Sequence, residues 1–285
     1  MSITKIDAYF CILAVCIFLH YIQKYQDLNL IPLDLNKIRK KAVEIARTGG
    51  NSTLEYFNKP IDVVFKDDDS PVTVADQHAE EIIREEIIKH FPGHGIIGEE
   101  FGVENGNSNV VWVIDPIDGT QSFIHKFPIY TTLIGVLVDG IPRVGVIYAP
   151  ALNEMVSASV GDGCYLNGEK VKVRECSDLS KATLLTTDVA HIYKHNFGKS
   201  FEELLSSVRI HRTWGDAYGH LMVATGRADI MFDPILKVWD AAALLPVITE
   251  AGGSYTDVKG KETIDTGNAI STNPTLKSEI LAFFD

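Results

Sequence analysis

Residues 112–120 read Trp-Val-Ile-Asp-Pro-Ile-Asp-Gly-Thr, and this stretch joins an apolar run to a polar turn. The run Val110–Ile114 predicts a short buried strand, which Pro116 should end because proline has no N–H to donate to a ladder. The strand then delivers the Asp115 carboxylate at its end, and Asp118 follows in the turn. The pattern therefore places two carboxylates at one strand terminus.

The next two residues, Gly119 and Thr120, predict an anion-binding turn. Glycine permits a tight backbone and the close approach of a ligand. If a helix begins here, its free N–H groups and its dipole favour a phosphate group. Taken alone, an acidic junction between strand and loop is as easily an ordinary turn or a helix N-cap. The hypothesis of a metal-bridged phosphate therefore depends on other acidic residues.

Two further acidic residues support that hypothesis. Glu99 follows the apolar pair Ile96–Ile97, so that it ends a second predicted strand. Asp240 opens a predicted helix over residues 239–250, where capping explains it equally well. Carboxylate oxygens are the ligands that Mg²⁺ prefers, whereas zinc and copper favour imidazole or thiolate. No HExxH pattern occurs among the nine histidines, so a transition-metal enzyme is disfavoured.

The flanking sequence predicts a layered α+β fold. Thr73 and Asp76 have the spacing of a capping box, and the following helix should bury Ile82, Ile83, Ile87 and Ile88. Closely spaced β-rich runs separated by turn residues favour an antiparallel meander; they cover residues 129–138, 143–149 and 154–160. Helical patterns at 35–54, 215–225 and 239–250 complete the mixture of elements.

The composition limits the function classes. The chain has 285 residues, of which 46% are hydrophobic, and a formal net charge of −12. An acidic chain repels the nucleic-acid backbone, so we expect no nucleic-acid partner. A phosphorylated metabolite stays possible if a metal offsets its charge locally. The four cysteines form no C-x-x-C pair, which favours a reducing, cytoplasmic location.

Three motifs together resemble the signatures of the inositol monophosphatase family. They occur in that family's order: G-E-E at residues 98–100, D-P-I-D-G-T at 115–120 and W-D-A-A-A at 239–243. The similarity extends from about Leu33 to the C-terminus. It implies an α/β/α/β/α sandwich, usually a homodimer. It also implies a phosphatase that uses two or three Mg²⁺ ions on a small phosphorylated metabolite.

The resemblance implies a metal-binding role for five residues. One ion is expected to bind Glu99, Asp115 and the carbonyl oxygen of Ile117. A second ion is expected to bind Asp115, Asp118 and Asp240. The same resemblance therefore makes Asp115 the ligand that both ions share.

It also implies roles in phosphate binding and catalysis. The backbone N–H groups of Gly119 and Thr120 are expected to hold the phosphate. Glu99 and Thr120 are expected to orient the attacking water. Asp76 is expected to be an outer ligand or an orienting residue. Lys66 is expected to steady its loop or the phosphate charge.

The later part of the chain resembles the histidinol-phosphatase branch of this family. The similarity lies in residues 212–219, 223–229 and 232–234. Histidinol phosphate carries an ammonium and an imidazole, with which carboxylates at Asp216 and Asp233 could form charge-assisted hydrogen bonds. An inositol ring offers only neutral hydroxyls. The further substrate contacts expected are Asp118, Asp240 and Arg212.

Other interpretations stay open. Asp216 is also compatible with a simple helix cap near residue 215. The activity could instead be that of an inositol-1-phosphate phosphatase or a nucleotide 3′-phosphatase, although no obvious adenine platform is present. A non-catalytic relative that binds a metal or phosphate belongs to a different class, and the intact acidic set argues against it.

Residues 1–33 are expected to form an apolar extension ahead of the domain that resembles phosphatases, residues 34–285. Within it, residues 8–22 are as apolar as a membrane segment but shorter than the roughly 20 residues that a spanning helix needs. The extension is compatible with a membrane tether, with a helix packed on the domain or on a partner subunit, and with a start codon placed too far upstream. We expect membrane contact, if any, only through this run.

We predict that deletion of residues 1–32 leaves phosphate release nearly unchanged, because every motif lies after Leu33. Assays of the soluble truncated and full-length proteins measure this directly. An inactive or unfolded truncation would show instead that the apolar run packs on the domain.

Overall fold

A computed structural model of the protein describes residues 33–66 and 71–284. Its helices are α1 (Leu35–Thr53), α2 (Val74–His90), α3 (Thr120–Ile124), α4 (Val189–Lys194), α5 (Gly198–Ser207), α6 (Asp216–Ala224), α7 (Val238–Glu250) and α8 (Lys277–Leu281). Two short 3₁₀ helices lie at Pro150–Leu152 and Leu179–Lys181.

The strands alternate with these helices. They are β1 (Val63–Phe65), β2 (Pro71–Thr73), β3 (Gly95–Gly98), β4 (Gly102–Glu104), β5 (Val110–Asp118), β6 (Thr131–Val138), β7 (Ile141–Ala149), β8 (Glu154–Ser159), β9 (Gly163–Leu166), β10 (Glu169–Val171), β11 (Thr183–Thr186), β12 (Ile210–Arg212), β13 (Ile230–Asp233), β14 (Ser254–Thr256) and β15 (Ala269–Thr272).

The strands form two large sheets and one hairpin. The eight-stranded sheet has the order β10-β9-β8-β7-β6-β5-β3-β4, and its pairs are antiparallel except for β3 with β5. The predicted antiparallel meander is therefore confirmed. The five-stranded sheet has the order β12-β11-β13-β15-β14, in which β12, β11 and β13 run parallel. Within residues 33–66 and 71–284, strands β1 and β2 pair with each other and with no further strand.

Three of the four apolar clusters in the described part of the chain join these elements into five layers. Helices α1 and α2 pack on one face of the eight-stranded sheet, where Ile45, Ile83 and Trp112 are buried together. Helices α6 and α7 fill the space between the two sheets. Helices α4, α5 and α8 cover the far face of the five-stranded sheet. The order is helix, sheet, helix, sheet, helix, which confirms the predicted α/β/α/β/α sandwich.

Helix α7 lies unusually close to the eight-stranded sheet because two glycines face it. Gly135 on β6 and Gly145 on β7 are directly opposite each other in the ladder. A Cβ atom on Gly145 would lie 2.1 Å from the Ala243 carbonyl oxygen, and one on Gly135 would lie 2.6 Å from the Ala242 Cβ atom. These contacts set the distance between α7 and the sheet, and with it the position of the first turn of α7.

Strand β5 is longer than the sequence predicts. It does not stop at Pro116 but continues to Asp118, with a register irregularity between Asp115 and Asp118. The missing proline N–H falls within that irregularity, where the ladder is already interrupted. The Pro116 carbonyl accepts instead from the Thr132 hydroxyl at 2.8 Å. The bulge therefore replaces the predicted strand end.

Helix α2 starts as its sequence predicts. The Thr73 hydroxyl accepts from the Ala75 N–H, and the Thr73 N–H donates to Asp76 at 2.8 Å, which closes the capping box. The predicted buried face is partly wrong, because Ile88 is exposed. Successive helical residues are about 100° apart, so only one of each isoleucine pair can face the sheet. Ile83 and Ile87 occupy that face.

Residues 1–32 of the predicted apolar extension lie outside the described residues, as do residues 67–70. Across the part of the chain that the structure describes, no helix combines the length and apolar character that membrane crossing requires.

We predict that Gly145→Ala destabilises the fold by about 1–3 kcal/mol, because the added methyl group must displace the α7 backbone. The same displacement should lower phosphatase activity by moving Asp240, which lies in the first turn of α7. Thermal unfolding and phosphate-release assays measure both effects. Ile141→Ala, at an exposed position on the same strand, is the control. A stable, fully active Gly145→Ala variant would contradict the close packing of α7.

Candidate active site

A cavity of about 500 Å³ opens where β5, β13 and the first turns of α3, α6 and α7 converge. Among the described residues, no lysine or arginine lines it. Its carboxylates are numerous: Glu99, Asp115, Asp118, Asp188, Asp216, Asp233 and Asp240. The cavity therefore concentrates negative charge, which suits it to a cation and to groups that a cation can bridge.

Three of these carboxylates form a tight cluster. Asp115 and Asp118 come from β5, on the two sides of its irregularity, and Asp240 comes from the first turn of α7. Each residue offers one oxygen, and the three oxygens lie within 4.8 Å of one another. Asp240 also accepts from the Lys237 N–H at 2.6 Å. Its capping role and its place in the cluster are thus both real.

Burial and mutual repulsion make this cluster electrostatically costly. Burial raises the pKa of Asp115 well above its usual range, and the charges of Glu99, Asp118 and Asp240 add to the shift. Burial and the charge of Asp118 raise the pKa of Asp240 to about 8. Such acids ionise together when a divalent cation lies between them, so the donor set fits a hard metal ion.

Hydrogen bonds hold Asp118 in place. Its Oδ2 accepts from the Thr131 hydroxyl at 2.9 Å and from the Ala217 N–H at 2.8 Å. Burial raises the pKa of Asp118 well above its usual range, and the charge of Asp216 adds to this rise, whereas these two donors oppose it. Asp118 thus links the sheet to the start of α6.

Glu99 reaches the cavity from the turn after β3. Lys66 donates to Glu99 and to Glu100, each at 2.8 Å. Burial lowers the pKa of Lys66, but its hydrogen bonds to the two glutamates outweigh burial, and the net pKa is raised. The side chain of Lys66 therefore neutralises the glutamate pair rather than lining the cavity.

A buried acid beneath this turn fixes its backbone. Glu80, on α2, accepts from the N–H groups of Glu100 and Phe101 at 2.8 Å and 3.2 Å. Arg84 pairs with Glu80 at 2.8 Å. Any side chain on Gly98 would collide with Glu80, since an added Cβ atom would lie 2.0 Å from its Oε1. The turn that carries Glu99 is therefore held from below.

Asp76 lies behind the cavity rather than on its surface. Its Oδ2 accepts from the Thr73 N–H and hydroxyl, and its Oδ1 lies 3.4 Å from the Thr120 hydroxyl. The Thr120 hydroxyl is also 3.0 Å from the Ile117 carbonyl oxygen. Burial raises the pKa of Asp76 to about 6, against the opposing hydrogen bonds from Thr73. Asp76 thus orients Thr120.

The Asp216 side chain packs closely against Gly119 at the wall of the cavity. Gly119 has a φ of 79°, and an added Cβ atom would lie 2.7 Å from Asp216 Oδ2. Asp216 itself has a φ of 52°, a left-handed conformation that only a few residue types adopt readily. The N-cap of α6 is Gly215, and Asp216 makes no capping bond there. The simple helix-cap interpretation of Asp216 is therefore wrong.

The structure brings Asp216 and Asp233 into the same cavity as the cluster. Burial, followed by the charge of Asp233, raises the pKa of Asp216 to about 7, and a hydrogen bond from Ser122 opposes the rise. Arg212 does not line this cavity. It lies exposed at the end of β12, where its guanidinium donates to the His211 carbonyl. Arg212 is not among the described residues that line the cavity, so the structure does not support its predicted substrate contact.

The sequence did not predict several residues that hold the acids of the site in position. Thr131, Thr187, His220 and Glu80 all bond to acids that line the cavity or to the turn that carries one. Each is far from its partner along the chain or lies in an ordinary apolar pattern. A buried charged residue on a predicted helix face, as Glu80 is, was the one available signal.

The layered fold and this acidic cavity, whose carboxylates could hold a metal ion, fit a metal-dependent phosphatase. Comparison with known proteins identifies the family. Residues 34–284 match the model of the inositol monophosphatase family. The chain belongs to that family.

Relatives in several organisms resemble the chain over most of its length. A histidinol-phosphatase from Chlorobaculum parvum is 39% identical over 85% of this chain and 94% of its own. A histidinol-phosphatase from Mycobacterium tuberculosis is 35% identical over 76% of this chain and 85% of its own. An inositol monophosphatase 1 from Solanum lycopersicum is 34% identical over 83% of this chain and 90% of its own.

Solved structures agree with the fold. The extragenic suppressor protein suhB from Bartonella henselae superimposes with a TM-score of 0.83 at 27% identity, covering 87% of this chain and 98% of its own. An IMPase from Thermotoga maritima gives a TM-score of 0.78 at 32% identity, covering 85% and 94%. The layered sandwich is therefore shared with known members of the family.

We predict that Mg²⁺ stabilises the protein against heat, because an ion bound only by the folded state adds about 2.7 kcal/mol at 100 times its dissociation constant. Asp118→Asn should lose most of this gain. Without metal, the variant should be at least as stable as the wild type, since one repelling charge is gone. Differential scanning calorimetry with and without Mg²⁺ measures both effects.

The control for that experiment is Glu81→Gln, which changes an exposed acid on α2. It should respond to Mg²⁺ as the wild type does. A full Mg²⁺-induced stabilisation in Asp118→Asn would place the ion elsewhere.

Proposed function

We propose that the protein is a Mg²⁺-dependent phosphomonoesterase that hydrolyses L-histidinol phosphate to L-histidinol and phosphate. One observation carries the choice of substrate: two carboxylates, Asp216 and Asp233, lie in the same cavity as the metal-binding cluster. A substrate that bears a phosphate at one end and an ammonium at the other is complementary to such a cavity.

The metal site follows from the donor set. We assign Glu99, Asp115 and the Ile117 carbonyl to one ion, and Asp115, Asp118 and Asp240 to a second. The oxygen-only donors and the spacing of the cluster support Mg²⁺ over zinc or copper. A third ion, held in part by substrate and water, is compatible with the family resemblance. When bound, the ions would neutralise the phosphate and activate a water molecule.

The remaining residues bind and orient the reactants. The N–H groups of Gly119 and Thr120 begin α3, where helical N–H groups have no intrahelical partner and can hold a phosphate oxygen. The Thr120 hydroxyl can donate its hydrogen bond to Asp76 or to the Ile117 carbonyl oxygen. Its lone pairs then stay available to accept a hydrogen bond from the attacking water. Glu99 is the second residue assigned to that water. The hydrolysis breaks the P–O bond to the alcohol and forms one to the water oxygen.

Lys66 and Asp76 have supporting roles in this proposal. Lys66 neutralises Glu99 and Glu100, which limits the charge that a metal ion must offset. Asp76 supports Thr120 from behind and is not exposed to the cavity. Asp118 and Asp240 face the cavity from the cluster, and we assign them a second role as contacts of the substrate beside its phosphate.

The similarity to histidinol-phosphatases, at 39% and 35% identity for two of them, also supports L-histidinol phosphate as the substrate. A second candidate is inositol-1-phosphate, which the similarity to the tomato inositol monophosphatase favours. An inositol ring has no cation to pair with Asp216 and Asp233, so burying both acids beside it would be unfavourable. We also infer a homodimer, from the family resemblance, and a cytoplasmic location, from the cysteine pattern.

A phosphate-release panel tests the function. We predict that L-histidinol phosphate is hydrolysed at least about 10-fold faster, in kcat/KM, than inositol-1-phosphate, because charge-assisted bonds to the ammonium are lost with the neutral ring. Adenosine bisphosphate should react slowly. Each activity should vanish with EDTA and return with Mg²⁺. The reverse ranking of the first two substrates would overturn the substrate assignment and leave the phosphatase class intact.

A further inference from the structure

Two side chains hold the Asp233 carboxylate in a fixed orientation. It ends β13 and lines the cavity, yet only 3% of the residue is exposed. Its Oδ1 accepts from the Thr187 hydroxyl, and its Oδ2 lies 3.0 Å from His220 Nε2. The carboxylate cannot rotate without breaking one of these bonds, and each oxygen keeps another lone pair for a ligand.

His220 provides one of those bonds from outside the cavity. The residue is fully buried and does not line the cavity. An ionised carboxylate only accepts, so the proton in this contact belongs to His220 Nε2. The other ring nitrogen, Nδ1, lies 2.6 Å from the Ser271 hydroxyl. Both nitrogens are therefore satisfied, and the ring is locked between β13 and β15.

Thr187 joins the two acids that the proposed function assigns to the substrate. Its hydroxyl donates to Asp233 and accepts from the Asp216 N–H at 2.8 Å. Asp216 begins α6, and His220 lies four residues later in the same helix. One helix turn thus carries one acid and supports the other, while a single hydroxyl connects them.

We propose that His220 and Thr187 are positioning residues that fix Asp233 and Asp216 as a ready-made acceptor for the ammonium group of an amine-bearing phosphate ester. The inference rests on the proposed histidinol-phosphatase activity and deepens it. An acceptor that is already oriented loses less freedom on binding, so it holds the cationic group more tightly. Specificity is then set in part by an imidazole that never touches the substrate.

Two substitutions of His220 separate its ring nitrogens. A glutamine amide extends as far as Nε2, so His220→Gln can keep the donor to Asp233. An asparagine amide extends only as far as Nδ1, so His220→Asn can keep Ser271 but leaves Asp233 Oδ2 without its partner. In the full-length, Mg²⁺-loaded enzyme, we predict that His220→Asn raises KM for histidinol phosphate about 10-fold, the cost of one lost hydrogen bond, with a smaller change in kcat. His220→Gln should stay within about 3-fold of the wild type.

Thr187 offers a second matched pair that leaves the buried imidazole untouched. Thr187→Val keeps the branched shape and removes the hydroxyl, whereas Thr187→Ser keeps the hydroxyl. The valine variant should raise KM for histidinol phosphate about 10-fold, and the serine variant should not. With p-nitrophenyl phosphate, which has no ammonium, kcat/KM should change by less than about 3-fold in all four variants, because the metal cluster is unaltered. This pair keeps the inference testable if His220→Asn does not fold.

The outcomes separate this inference from the proposed function. Equal KM values for Thr187→Val and Thr187→Ser, or an equal loss toward p-nitrophenyl phosphate, would show that the network only supports the core and would overturn the inference. A wild-type enzyme that prefers histidinol phosphate, with variants that keep that preference, would overturn the inference alone. A wild-type enzyme that hydrolyses p-nitrophenyl phosphate but not histidinol phosphate would remove the proposed function as well.

Discussion

The repulsion among Asp115, Asp118 and Asp240 is the constraint on which the rest of the structure depends. Folding buries Asp115, partly shields Asp118 and Asp240 from water, and brings oxygens of all three within 4.8 Å of one another. Both effects disfavour the ionised forms. The surrounding fold must therefore supply the energy that holds them together until a cation arrives. The close packing of α7 on the sheet, permitted by Gly145, is one source of that rigidity.

The local chemistry of the site was predictable from sequence because it is encoded in contiguous residues. The stretch 115–120 supplies two carboxylates, a glycine and a helix start, and the capping box at Thr73 fixes where α2 begins. The mixture of helices and antiparallel strands likewise predicted a layered α+β fold, and the family resemblance added the five-layer sandwich. What the sequence could not show was how β5 passes Pro116, because a bulge depends on the register of the neighbouring strand.

Hydrogen bonds between residues far apart in the sequence were a second feature that could not be predicted. His220 and Asp233 are thirteen residues apart, and His220 and Ser271 are fifty-one apart, so no local pattern connects them. Arg212 was misplaced for the opposite reason. It lies close in sequence to Asp216, but a three-residue connection separates β12 from α6, and Arg212 does not line the cavity. Proximity along the chain is a poor guide where a short connection joins a strand to a helix.

The left-handed backbone at Asp216 has a consequence for how this enzyme can change over evolution. A φ of 52° is tolerated by glycine, asparagine and aspartate, whereas bulky and β-branched residues are strained there. The replacements that preserve the turn are therefore the ones that remove its charge. A single step to asparagine or glycine would replace the Asp216 carboxylate with a neutral group on an unchanged scaffold. Under the proposed function, substrate preference can drift toward uncharged alcohols by that route, whereas larger side chains at this position strain the backbone.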